Sequence, residues 1–351
     1  MASKQAAAPP PVDEQREFHL GVLGSTGLIA SYLCDNYGKD SGVKFIFGGR
    51  SAVRLQELKK SLSVKYAINE ADIHTAVADV DDYKSLLDFT KRCRVLLTTV
   101  GPYMLYGEPV ARACVETRTH YCDLTGEMPF VALLHARHGL AAKERGVKLI
   151  SFCGFDSIPS DIAVMLIQNR AIEKTKKPCR EVKLAVRSIR GGISGATLAS
   201  ALNVIGHKAM NSPYYLAAHA VDGPHNSLAG LPVQPRVCAL HRDADFGYST
   251  FYVMARVNEN VVRWTNALLD YRYGYKETAK MAAEAALTVA LQLSSCTPLT
   301  GVLSPAAGIG DPLVKRLIAK GITCKVYEQT NTQTPAAAAA AADTQTTKKA
   351  L

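Results

Sequence analysis

The chain has 351 residues, 48% of them hydrophobic and 21% charged, which suits two domains with a sizeable core and excludes a disordered or fibrous class. Its net charge of +10 comes from scattered Lys and Arg, with no dense basic run or interleaved aromatics. That excludes a nucleic-acid interface and leaves a solvated surface that attracts anionic cofactors and substrates. Nine cysteines, odd in number and without a Cys-x-x-Cys pair, exclude a disulfide framework and a metal site and fit a cytoplasmic compartment.

In chain order, residues 1–16 are rich in Ala and Pro and read as a disordered tail. No signal peptide is expected, because the segment lacks an apolar core, and Asp13, Glu14 and Glu17 argue against a transit peptide. From 17 to 157 strand and helix alternate. Strands are expected over 18–23, 43–48, 73–78, 94–100, 119–123 and 147–153, with helices over 28–37, 52–62, 82–92, 108–117 and 129–145 between them. Most of these strands are apolar on both faces, so the segment predicts an α/β, Rossmann-type, doubly wound parallel sheet. After Pro159 a helix over 160–173, strands near 180–190 and 246–258, and helices near 196–210 and 275–293 follow. A helix over 311–320 and a strand over 321–327 complete a second, α+β domain at 158–328. Residues 329–351 read as another disordered tail. No apolar stretch is long enough to span a bilayer. Leu287 to Leu303 comes nearest, and reads at most as a surface-seated contact with a membrane.

The chemistry gathers at strand ends. Gly24-Ser25-Thr26-Gly27 lies between the first strand and the first helix, in the frame Gly24-x-x-Gly27-x-x-Ala30. Glycines there let the backbone approach a pyrophosphate, and the free amides from Gly24 through Leu28 and Ile29 bind its charge. An isolated motif of this kind also serves as a plain turn. The second strand ends in Gly49-Arg50-Ser51 rather than in an acid. A guanidinium beside a hydroxyl suits a ribose 2′-phosphate, so NADP(H) is expected over NAD(H). Asp79 and Val80 sit where an adenine ring would lie, although Asp79 equally suits a helix cap.

Val100, Gly101, Pro102 and Tyr103 shape a loop over the middle of the cofactor, and Cys153 and Phe155 follow the sixth strand near its nicotinamide end. Tyr103, Asp123 and Asp156 are the candidate catalytic residues, with Asp123 also facing the cofactor. Glu127 is a further candidate for proton handling or substrate orientation. Ser160 or Asp161 is expected to cap the next helix, and Gly191-Gly192-Ile193-Ser194-Gly195 to open a helix that holds a substrate anion or simply turns.

Together, Gly24-Ser-Thr-Gly27, Gly49-Arg50-Ser51, Val100-Gly-Pro-Tyr103, Tyr106-Gly-Glu-Pro109, His120-Tyr-Cys-Asp123, Cys153-Gly-Phe-Asp-Ser-Ile-Pro159 and Gly192-Ile-Ser-Gly195 resemble the saccharopine dehydrogenase-like oxidoreductases. That group is similar to the bacterial trans-acting enoyl reductases, which Leu303-Ser-Pro-Ala-Ala and Gly310-Asp-Pro also fit. The resemblance implies a Rossmann domain, a substrate or dimerisation domain that allows a homodimer, and NADPH-dependent reduction of a carbonyl or enoyl group on an acyl or lipid-linked substrate. It also implies a role in lipid metabolism such as glycolipid biosynthesis, and peripheral contact with a membrane or lipid droplet. It supplies no catalytic residue. A true saccharopine dehydrogenase of lysine metabolism and a non-catalytic NADP-binding protein of lipid surfaces stay open as alternatives.

Overall fold

The structure is a computed structural model. It describes residues 15–320 except 25–26, 39–40, 176–178, 180–181, 187–206, 208, 210–211, 222–239, 244–245, 251, 253 and 270–277. Seven strands form one parallel sheet: β1 (Phe18–Leu23), β2 (Phe45–Gly49), β3 (His74–Val77), β4 (Cys93–Thr98), β5 (His120–Asp123), β6 (Lys148–Ile150) and β9 (Gly301–Leu303). Their order is β3-β2-β1-β4-β5-β6-β9. The short strands β7 (His241–Asp243) and β8 (Gly247–Ser249) pair antiparallel outside this sheet. Strand order reverses between β1 and β4, where doubly wound sheets open a crevice for ligands at their carboxyl ends.

Side-chain alternation along the strands feeds two cores. Leu20, Val22, Phe47, Val95, Leu97 and Ile150 face one layer, made by α1 (Gly27–Tyr37), α2 (Ala52–Tyr66), α6 (Ile158–Thr175), α9 (Thr278–Leu291) and α11 (Asp311–Ala319). Phe18, Leu23, Ile46, Leu96, Tyr121 and Leu149 face the other. That second layer holds α3 (Tyr83–Thr90), α4 (Tyr103–Thr117), α5 (Met128–Glu144), α7 (Tyr215–His219) and α8 (Ala255–Leu269). The carboxyl-terminal segment therefore returns to the amino-terminal sheet, supplying β9 at its edge, α9 over β1 and β4, and α11 packed against α9. A fully buried carboxylate locks this return. Glu284 accepts the hydroxyls of Tyr32 (2.7 Å) and Tyr37 (2.5 Å) and the Arg316 Nε–H (2.9 Å), tying α9 to α1 and α11.

Several expectations for individual elements are corrected. The strand expected over 246–258 is only β8, because Val257, Val261, Val262 and Trp264 recur at helical spacing and bury one side of α8. Residues 182–186 form no strand. The helix near 196–210, the glycine-rich segment from 191 and the strand over 321–327 lie outside the described residues, apart from residues 207 and 209. Helix α4 begins at Tyr103 rather than at 108, because its start is capped by a residue distant in sequence. Within Leu287 to Leu303, Leu287 and Val289 lie in the first core, Val302 lies in the second and Leu303 is buried, whereas Leu291 is exposed. Among the described residues no helix is long and apolar enough to cross a membrane.

Ser160 and Asp161 do not cap α6, which begins three residues before Asp161. Asp161 is fully buried and joins three elements instead. The Thr265 hydroxyl of α8 donates to Oδ1. The Ala306 amide, in the short helix α10 (Pro305–Gly308), donates to Oδ2 at 3.0 Å. Burial raises the Asp161 carboxyl from the usual 3.8 to about 6. The folded chain thus binds the extra proton between those values, so this contribution to stability is present below them and is lost as pH rises through 6. Asp161→Asn cannot ionise. Its destabilisation relative to wild type should shrink by about 2 kcal/mol between about pH 4.5 and about pH 7.5 in urea unfolding. An identical difference at both values would contradict the assignment.

Candidate functional site

Two helix starts flank the switch point from opposite faces of the sheet, α1 after β1 and α4 after β4. The turn after β1 needs glycine at Gly24, whose φ is +74°. A Cβ there would lie 2.5 Å from Val100 Cγ2. The Thr99 amide donates to Leu23 O at 2.9 Å and its hydroxyl to Gly24 O at 2.5 Å, so the loops after β1 and β4 are stitched together. At Gly27 a Cβ would meet nothing within 4 Å, which leaves open space directly over the start of α1. Ile29 and Ala30 point into the core, so only their backbone is available to a ligand, whereas Leu28 is 76% exposed. Ser25 and Thr26 lie outside the described residues.

Beside this turn a cavity of about 240 Å³ is lined by Gly24, Gly48, Gly49, Arg50, Ser51, Arg54, Leu55 and Leu58. Ser51 caps α2, accepting the Arg54 amide at 3.3 Å. Arg50 and Arg54 are exposed, and among the described residues neither makes an ion pair. Exposed guanidinia beside a helix start are groups of the kind that attract a phosphate. Asp79, on the next strand end, accepts the Asp81 amide at 3.2 Å, while the cap of α3 is Asp82. Val80 packs against the second core.

On the other side of the switch point the sequence candidates divide. Tyr103 is buried; its hydroxyl donates to Thr98 O and accepts the Leu124 amide, both at 3.2 Å. Asp123 is fully buried and accepts the Thr125 amide (3.0 Å), the Phe152 amide (3.2 Å) and the Ser151 hydroxyl (2.9 Å). Burial raises its carboxyl to about 6 against those donors. Cys153 is buried, donates its amide to Asp123 O at 2.8 Å, and has its thiol pushed up by desolvation. Phe155 and Asp156 are half-buried in the turn before α6. Asp156 makes no hydrogen bond among the described residues, and burial raises its carboxyl.

Glu127 is the residue whose role sequence reasoning missed: its Oε1 accepts the Tyr103 amide at 2.8 Å and its Oε2 the Met104 amide at 2.9 Å. No local signal marks it, because the capped helix lies 24 residues upstream of the acid. Val100, Gly101 and Pro102 form the half-buried wall between the two helix starts, and the exposed Met104, Leu105 and Tyr106 extend it as an apolar rim.

The family model of the saccharopine dehydrogenase NADP binding domain matches residues 20–148, which contain both the glycine turn and the arginine pair. A trans-acting enoyl reductase of Mycobacterium leprae is 31% identical over 324 residues, covering 87% of this chain and 74% of the relative. A trans-acting enoyl reductase of Mycobacterium ulcerans is 30% identical over 327 residues, covering 86% and 74%. A solved apo saccharopine dehydrogenase (L-Glu forming) from Saccharomyces cerevisiae is 15% identical, with a TM-score of 0.35 over 45% of this chain and 31% of that one.

Proposed function

We propose a reaction for this chain, which belongs to the saccharopine dehydrogenase-like family and stands with its trans-acting enoyl reductases: NADPH-dependent reduction of a carbonyl or enoyl group on an acyl or lipid-linked substrate. The chain is an NADP-dependent oxidoreductase. The observation that carries the proposal is the pairing of open space at Gly27, at the start of α1, with two exposed arginines after β2 that make no ion pair among the described residues. These residues fit NADP(H): α1 would hold the pyrophosphate, and Arg50, Arg54 and the start of α2 the 2′-phosphate.

When bound, the cofactor supplies a hydride. The chain's own part is alignment, exclusion of water and one proton. Val100 to Pro102 form the wall, and Leu28, Met104, Leu105 and Tyr106 offer apolar surface at the mouth that suits an acyl chain. Asp156 is our choice of proton donor, because the other two candidates have their polar atoms engaged. Its carboxyl is raised by burial and free of hydrogen-bond partners among the described residues, which favours a protonated, transferable form.

The test is NADPH oxidation followed by nicotinamide absorbance against α,β-unsaturated and carbonyl acyl thioesters. Consumption with one of these supports the proposal. Turnover of saccharopine, or no oxidation while NADPH binds fully, would overturn it in favour of the lysine enzyme or a non-catalytic binder. Asp156→Asn should slow oxidation about a hundredfold, the low end for a positioned acid, with NADPH affinity unchanged within about twofold. An unaltered rate would remove Asp156 from the reaction.

A further inference from the structure

Of the two helix starts at the switch point, α1 has open space where a Gly27 Cβ would stand, and α4 is filled from within. Neither α1 nor α4 carries an acidic side chain in its first turn, and the cap of α4 is Pro102, which has no side-chain oxygen to offer. Glu127 supplies what α4 lacks. It is fully buried, and its two oxygens take one amide each from Tyr103 and Met104. The Leu105 and Tyr106 amides turn back on Pro102 O, both at 3.1 Å, so the start of α4 presents no free donor among these residues. A carboxylate shared between two first-turn amides neutralises the positive end of the helix. Its own loop is fixed in turn, since the Glu127 amide donates to the Thr125 hydroxyl at 2.9 Å.

We infer that Glu127 is a positioning and specificity residue: it occupies the anion site of α4, so that the crevice takes phosphate only at α1 and an uncharged group beside α4. The inference rests on the NADP(H) reading, in which the pyrophosphate and the neutral nicotinamide carboxamide have to be distributed between two chemically similar helix starts. Glu127 also holds the wall itself. The Tyr103 and Met104 amides are continuous with Thr98 to Pro102, which Tyr103 pins through its bonds to Thr98 O and the Leu124 amide. With the carboxylate gone, two buried amides lose their acceptors, and the wall gains freedom at the nicotinamide end while the adenosine end, built on β2 and α2, is untouched.

The experiment compares the full chain with Glu127→Ala and Glu127→Gln, titrating each with NADPH and with adenosine 2′,5′-bisphosphate, which lacks the nicotinamide half. For Glu127→Ala, NADPH affinity should fall about tenfold or more and the bisphosphate affinity stay within about twofold, as expected for two unsatisfied amides. Acetate, which matches the methylene and carboxylate removed, should restore NADPH binding to Glu127→Ala. It should not help Glu127→Gln, whose side chain fills the same space. Glu127→Gln keeps one acceptor and should lose about threefold for NADPH alone, so it decides the matter if the alanine variant does not fold. Equal losses for both ligands, or no rescue of a folded alanine variant by acetate, would overturn the role of Glu127 while leaving the cofactor reading intact. A wild-type chain that binds neither ligand would overturn the cofactor reading, and this inference with it.

Discussion

Gly24→Val should raise the dissociation constant for NADPH more than about 1,000-fold while leaving the chain folded. Two independent features set the size of this effect. The backbone at Gly24 has φ +74°, a region where a β-branched side chain is strained by roughly 1–3 kcal/mol. The added Cβ would also stand 2.5 Å from Val100 Cγ2 and 3.2 Å from the Val100 amide, so the turn or the wall has to move. Either movement displaces the start of α1 from the loop after β4, to which Thr99 binds it. A site that depends on backbone amides loses its ligand with a shift of this kind, at about 1.4 kcal/mol per tenfold. The sheet below should hold, because Leu20 and Val22 of β1 are fully buried four and two residues before the substitution. Nicotinamide fluorescence titration with a thermal melt checks both halves. Retained affinity in a folded variant would make the turn structural only.

The paired charge reversal Arg50→Glu with Arg54→Glu should weaken NADPH about 1,000-fold and NADH by no more than about threefold. Hydrogen bonds to charged groups contribute about 1.5–3 kcal/mol each, and on the proposed reading two exposed guanidinia would face one 2′-phosphate that NADH lacks. Because both arginines are exposed and without ion pairs among the described residues, their replacement breaks no internal salt bridge, so the melting temperature should hardly move. Screening by salt should narrow the difference, as for any exposed charge. Equal losses for both cofactors would place the 2′-phosphate elsewhere.

The sheet was largely readable because its signals are local. β1 with its glycine turn, and β2 with Gly49-Arg50-Ser51, combine apolar strands with backbone-permissive residues a few positions apart. Three things were not. β9 is three residues long, and nothing near Gly301 says that it pairs with β6 across 150 residues of chain. The strand expected over 246–258 runs into the first turn of helix α8 because Phe246, Tyr248, Tyr252 and Met254 alternate, whereas Val257, Val261 and Trp264 recur at helical spacing. At the site, strand ends located the acids but not their duties. Whether Asp123 and Asp156 face a cleft or a ring of amides depends on donors such as Ser151 and Phe152 from neighbouring loops, and Glu127 serves a helix that precedes it in the chain.

The most direct measurement is isothermal titration calorimetry of the unmodified chain with NADPH and with NADH at moderate ionic strength. The open space at Gly27 and the exposed Arg50 and Arg54, without ion pairs among the described residues, predict saturable binding of one NADPH per chain, about thirtyfold or more tighter than NADH. No heat of binding with either nucleotide, or indistinguishable affinities for the two, would contradict the assignment of the crevice to NADP(H).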